Sequence, residues 1–87
     1  MGFHLDFSDQ SKKDINFHKK SGNKAVLKKL LLLLQEISEN PFEGTGKPEA
    51  LKHQLSGVWF RRINREHRLL YQVIKDVVYI LSAKDHY

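Results

Sequence analysis

Eighty-seven residues leave room for one domain and no second core, so any activity must be carried on a single small scaffold. Fifteen Lys and Arg against ten Asp and Glu give a net charge of +5, which favours polyanionic partners, nucleic acid before acidic protein. The lack of cysteine excludes disulfides and thiolate metal sites, and the longest apolar run, Leu30 to Leu34, falls far short of the ~20 residues that span a bilayer.

The opening MGFHLDFSDQ has no hydrophobic signal core, and with no cysteine this leads us to expect a cytoplasmic protein without a membrane partner. In GFHLDF, Phe3, Leu5 and Phe7 alternate with His4 and Asp6, the period of a half-buried strand. Ser8 is a suitable N-cap, and SDQSKKDINFHKKSG reads as a polar helix closing near Gly22. Next, NKAVLKKLLLLLQEISEN puts Val26, Leu30, Leu33, Leu34 and Ile37 on one helical face. Asn40-Pro41 stops that helix, because the residue before proline is pushed out of the α region.

The segment NPFEGTGKPEALKH, Asn40 to His53, contains two prolines and two glycines and supports neither period. Irregular segments of this length are uncommon in compact domains and often turn out functional or disordered. We expect this one to be a pinned loop that holds Glu49 and Lys52 rigidly over the pair Arg62 and Arg68, since proline lowers the entropy lost on ordering. Three strand patterns follow, VWFRRIN, HRLLYQVI and VVYILSA, separated by short turns at NRE and KD, which predicts an antiparallel meander. The order is thus β-α-α-β-β-β: an α+β domain, residues 1–87, with a small antiparallel sheet and two N-terminal helices on one face.

A turn centred on Arg65 sets Ile63 opposite His67 and Arg62 opposite Arg68. Directly opposed side chains share a face with Cβ atoms about 5 Å apart, and like charges so placed repel. Two arginines there either form a solvated basic edge or hold an anion between them, and the guanidinium fork matches phosphate oxygens. Arg61 and Arg65 alternate to other positions and read as solvating residues or general contacts to a nucleic-acid backbone. The turn Lys75-Asp76 pairs Ile74 with Val77 and brings Ala83 opposite Arg68, so the tail Lys84-Asp85-His86-Tyr87 emerges beside it. No histidine spacing or carboxylate cluster suggests a metal or other cofactor.

A carboxylate, an imidazole and fixed cations together suffice to cleave RNA, which carries its own nucleophile in the 2′-hydroxyl. A base removes that proton, an acid protonates the leaving 5′-oxygen, and cations stabilise the charge on phosphorus. Glutamate suits the base, histidine the acid, and arginine a clamp that keeps its proton.

From Pro41 to Tyr71 the chain follows P-F-E-G-x-G-K-P-E-x-L-K-x-x-L-S-G-x-W-x-R-R-I-x-x-E-H-R-L-x-Y and ends in His86-Tyr87. In this it closely resembles the YoeB/Txe toxins, a branch of the RelE superfamily. The resemblance implies a microbial-RNase-like fold and a bacterial toxin that cleaves messenger RNA in the A site of the 30S ribosomal subunit. It implies Glu49 as general base, His86 as general acid, Arg68 as the stabiliser of the transition-state phosphate and Tyr87 as an orienting group. Lys52 and Arg62 become supporting phosphate contacts. It also implies an acidic YefM/Axe-like antitoxin, operator DNA bound only through the toxin–antitoxin complex, and the homodimer common among family members. Lys84-Asp85 stands where the family often has an arginine followed by an aromatic residue or glycine, and the first strand lacks the tryptophan of some relatives. A carboxylate beside His86 would favour the protonated ring. Two rival readings share the same charge: a non-catalytic RNA- or ribosome-binding module, and a protein that binds only its antitoxin.

Overall fold

The computed structural model describes residues 2–51 and 57–85. The chain opens with β1 (His4–Phe7), in which Leu5 and Phe7 are half-buried and His4 and Asp6 exposed. Ser8 turns it into α1 (Asp9–Lys20); the Ser11 amide donates to the Ser8 hydroxyl at 3.0 Å, satisfying one of the free N–H groups at a helix start. Gly22, at φ +80°, supplies the left-handed residue beyond that helix. Asn23 then caps α2 (Lys24–Glu39), accepting from the Val26 amide.

The two helices bury different stripes. In α2 the buried residues are Val26, Leu30, Leu33, Leu34 and Ile37, the five of the apolar face, and they pack with Ile63, Leu69, Tyr71, Val78 and Ile80. Each such side chain contributes roughly 1.5–3 kcal/mol when fully buried, enough to dock the helix on the sheet. In α1 the buried residues are Ser11, Asp14 and His18, all polar.

The remaining strands are β2 (Glu49–Ala50), β3 (Val58–Arg62), β4 (Arg68–Ile74) and β5 (Val77–Ser82). They form one sheet in the order β1-β5-β4-β3-β2. The meander β3-β4-β5 is antiparallel as expected, but β1 runs parallel to β5, so the sheet is mixed rather than wholly antiparallel. Alternation in GFHLDF indicates a strand without its direction. Two helices follow β1 across one face, and β1 takes the free edge of β5 in the same sense, the Ser8 amide donating to the Ile80 carbonyl.

A second correction concerns Glu49. It stands in the two-residue strand β2, paired with β3, rather than in an irregular loop. Among the described residues no helix is long and apolar enough to cross a membrane.

Candidate active site

Helix packing covers one face of the sheet and leaves the alternate residues to the other. Ile63, just past β3, and Leu69 and Tyr71 on β4 join the helices, while Val58, Phe60 and Leu70 form a separate apolar cluster on the opposite face. Arg62 and Arg68, alternating with those helix-side residues, share the face of Phe60 and Leu70. The register is the expected one, Arg62 directly opposite Arg68, and the Ile63 amide donates to the His67 carbonyl. Asn64 holds the hairpin turn, its Oδ1 accepting from the amides of Glu66 and His67, and Arg65 is exposed there.

One row along, Glu49 lies opposite Phe60, which lies opposite Leu70. The Arg68 guanidinium folds over the Phe60 ring, 4.7 Å from its centroid, which brings that charge into the row of Glu49. A hollow of about 70 Å³ opens beside it, lined by Leu51, Phe60, Arg68, Leu70, Ser82 and Asp85. Among the described residues neither Arg62 nor Arg68 pairs with a carboxylate. An exposed acid on the same sheet face as two guanidiniums that have no carboxylate partner among the described residues, one of them laid on an aromatic ring, suits a phosphodiester.

Glu49, Arg62 and Arg68 are therefore on one face; Lys52, His86 and Tyr87 lie outside the described residues. The tail does run past Arg68, though not in the expected register. A bulge between Leu70 and Tyr71 shifts the β4–β5 pairing, so Leu70 faces Ser82, and the Arg68 amide donates to the carbonyl of Asp85 instead of standing opposite Ala83. Phe60 is a site residue the sequence reading missed; its place two residues before Arg62 on a strand was the available signal.

Arg61 overturns its reading as a solvating residue. It is 0% exposed, on the helix side of β3, beneath the segment that follows α2. All five of its N–H groups have partners. Nε donates to the Tyr71 hydroxyl (3.1 Å), Nη1 to Glu36 Oε1 (3.0 Å) and the Thr45 carbonyl (3.4 Å), and Nη2 to the carbonyls of Asn40 (2.9 Å) and Glu43 (2.7 Å). The Tyr71 hydroxyl in turn donates to the Pro41 carbonyl at 2.7 Å. Burial pushes that phenol above its ordinary pKa, against the opposing effect of Arg61, so it remains a donor. Residues 40–45 thus wrap a buried guanidinium, and the chain leads from there into β2 and Glu49. The glycines follow from this wrapping. A Cβ on Gly44 (φ +130°) would meet Glu36 Oε1 at 2.5 Å, and one on Gly46 (φ +85°) the Arg62 carbonyl at 2.8 Å.

The Thr45 hydroxyl, the Thr45 amide and Arg61 hold the Glu36 carboxyl below the ordinary glutamate pKa, outweighing burial. A depressed folded-state pKa gives stability that is present above the unfolded value and lost as pH falls through the folded one. The urea-midpoint gap between wild type and Glu36→Gln is accordingly expected to be widest near neutrality and to close on the acid side of about pH 4. A gap independent of pH would remove the carboxylate from this account.

The geometry has counterparts among known proteins. A family model for the YoeB-like toxin of bacterial type II toxin–antitoxin systems matches residues 7–87. Toxin YoeB of Escherichia coli (strain K12) is 49% identical over 65 residues, covering 75% of this chain and 77% of that protein. Among solved structures, the YoeB dimer from Staphylococcus aureus superposes with a TM-score of 0.85 at 42% identity over 98% of both chains. The YoeB–YefM complex from the same organism gives 0.81 at 43% identity, again over 98% of both.

Proposed function

The chain belongs to the YoeB-like toxins of bacterial type II toxin–antitoxin systems, and we propose that it acts as a metal-independent endoribonuclease on messenger RNA in the ribosomal A site. The observation that supports this best is the Arg62–Arg68 couple, without a carboxylate partner among the described residues, on the same sheet face as Glu49. Opposed guanidiniums repel each other unless an anion sits between them. A phosphodiester is such an anion, and Glu49 shares the sheet face on which it would sit.

In the reaction, Glu49 takes the proton of the 2′-hydroxyl, whose oxygen attacks the adjacent phosphorus. Arg68, with Arg62 and Lys52, stabilises the charge that builds on the phosphoryl oxygens. The bond to the 5′-oxygen breaks as His86 supplies its proton, with Tyr87 orienting the exchange. The products are a 2′,3′-cyclic phosphate and a 5′-hydroxyl. The roles of Lys52, His86 and Tyr87 come from the family resemblance alone. As in the Staphylococcus aureus complex, an antitoxin is the natural protein partner, and a second copy of the chain is a further one. A nuclease that acts on translating ribosomes and is held by an antitoxin would work in the cytoplasm.

Message-loaded ribosomes incubated with wild-type protein are expected to yield 5′-hydroxyl ends, blocked by a single 2′-deoxynucleotide at the cleaved position. Glu49→Gln should lower the rate by about 10²–10⁴-fold, the usual contribution of a general base, while still binding ribosomes. Ends bearing 5′-phosphate, or cleavage at the 2′-deoxynucleotide, would exclude this chemistry. Bound ribosomes with intact messages would favour the non-catalytic module.

A further inference from the structure

The positive charge of the chain gathers at a second place. A cleft of about 340 Å³ opens where α2, the residues before β2 and the β3–β4 hairpin meet, and Lys29, Lys47, Arg62 and Arg65 stand around it. Its described lining contains no carboxylate and no aromatic ring. Among the described residues none of these four cations forms an ion pair, since the two ion pairs are Arg61–Glu36 and Lys84–Asp85. Like charges around one hollow sum to a positive potential that draws in an anion.

Separate parts of the fold bring the four together. Leu30 of α2 and Ile63, just past β3, are buried in one apolar cluster, which sets the half-buried Lys29 beside the hairpin. Asn64 Oδ1 accepts from the amides of Glu66 and His67 and so fixes the turn that carries Arg65. The Gly46 carbonyl accepts from the Arg62 amide at 2.8 Å, which seats Lys47 near the end of β3. Lys47 itself is at φ +52°, in the left-handed region that residues other than glycine rarely adopt. Pro48 follows it, and the residue before a proline is ordinarily driven to extended backbone. Glycine would suit that position better, so a lysine held there points to a use for its charge.

Arg62 joins the cleft to the site already described. It opposes Arg68 across the strand pair and also walls the cleft. A cationic groove without aromatic rings tracks a nucleic-acid backbone and stacks no bases. A strand of RNA with one phosphate at Arg62 and Arg68 carries its next phosphates past the same arginine. We propose that the cleft is a second phosphate-binding site, which holds the backbone of the message next to the scissile linkage. The proposal rests on the nuclease reading above and employs the cations that reading leaves unused, Lys29, Lys47 and Arg65. They grip the strand and take no part in proton transfer.

Messages blocked by a 2′-deoxynucleotide at the cleaved position allow binding to be measured without cleavage. In a series of them, one flanking linkage at a time is made a neutral methylphosphonate, and protein is titrated onto ribosomes loaded with each. Wild-type protein is expected to lose about 10-fold in affinity at one flanking linkage, where a charge-assisted contact disappears. Lys29→Gln/Arg65→Gln should bind the unmodified message more weakly and lose less than about 2-fold further at that linkage. Lys47→Gly suits the left-handed backbone, so its fold should hold while the same methylphosphonate effect shrinks. Lys19→Gln/Lys20→Gln removes two charges from the last turn of α1, outside the cleft, and should keep the full effect. Wild-type protein indifferent to every flanking methylphosphonate would overturn the proposal and assign any loss in the cleft variants to ribosomal RNA. An undiminished effect in Lys29→Gln/Arg65→Gln would overturn it too. If the expected pattern holds but unmodified message is never cut, the nuclease reading falls and the binding site stands.

Discussion

Arg68→Ala is expected to slow messenger cleavage by about 10²–10³-fold, the loss seen when one pre-placed donor to a developing oxyanion is removed. The fold should not suffer. The Arg68 side chain has no carboxylate partner among the described residues, and its stacking on Phe60 contributes only about 0.5–1 kcal/mol. Removing it also relieves the repulsion from Arg62 across the strand pair. The urea midpoint should stay within error of wild type or rise. Activity and stability thus move apart, as they do when a site is built against the preference of the fold. Arg68→Lys sharpens the expectation: it keeps the charge but loses the planar fork, and should recover only a small part of the rate. A parallel loss of midpoint and rate would assign Arg68 to the scaffold instead.

The neighbouring arginine should behave in the opposite way. Arg61→Met leaves Glu36, the Tyr71 hydroxyl and the carbonyls of Asn40, Glu43 and Thr45 without their shared donor. Breaking a buried charge network by removing one partner costs about 3–5 kcal/mol. A domain of this size has a total stability near the lower end of ~5–15 kcal/mol, so the variant should keep no more than about 2 kcal/mol and melt at a much lower denaturant concentration than wild type. Arg62→Met, one residue along and exposed, should stay within about 0.5 kcal/mol. Denaturant titration of the pair provides the comparison, and near-equal midpoints would mean that residues 40–45 are held by something other than the guanidinium. Since the wrapped segment leads directly into β2, loss of Arg61 is also expected to abolish cleavage through Glu49.

The contrast between these arginines explains what was legible and what was not. Arg62 and Arg68 were placed correctly because a short turn and a period of two set which residues face each other. Arg61 follows the same period, but its alternate face meets a helix and a loop, and nothing in VWFRRIN distinguishes a guanidinium over solvent from one beneath a loop. The bulge at Leu70 and Tyr71 escaped notice for a related reason, since one unpaired residue leaves no mark on the apolar pattern. Glu49 was identified in its motif, yet its pairing into β2 depends on the loop that Arg61 holds.

Local rules written along the chain settled the cap at Ser8, the five-residue apolar stripe of α2, the stop at Asn40-Pro41 and the antiparallel meander. Each depends on spacings of a few residues, which backbone geometry converts directly into structure. Only the tertiary arrangement decided the parallel seat of β1, the burial of Arg61 and the seating of Asp14 and His18 of α1 against Ala83. Those outcomes join residues tens of positions apart. A polar side chain can be satisfied by water or by a distant backbone group, and only packing selects between them.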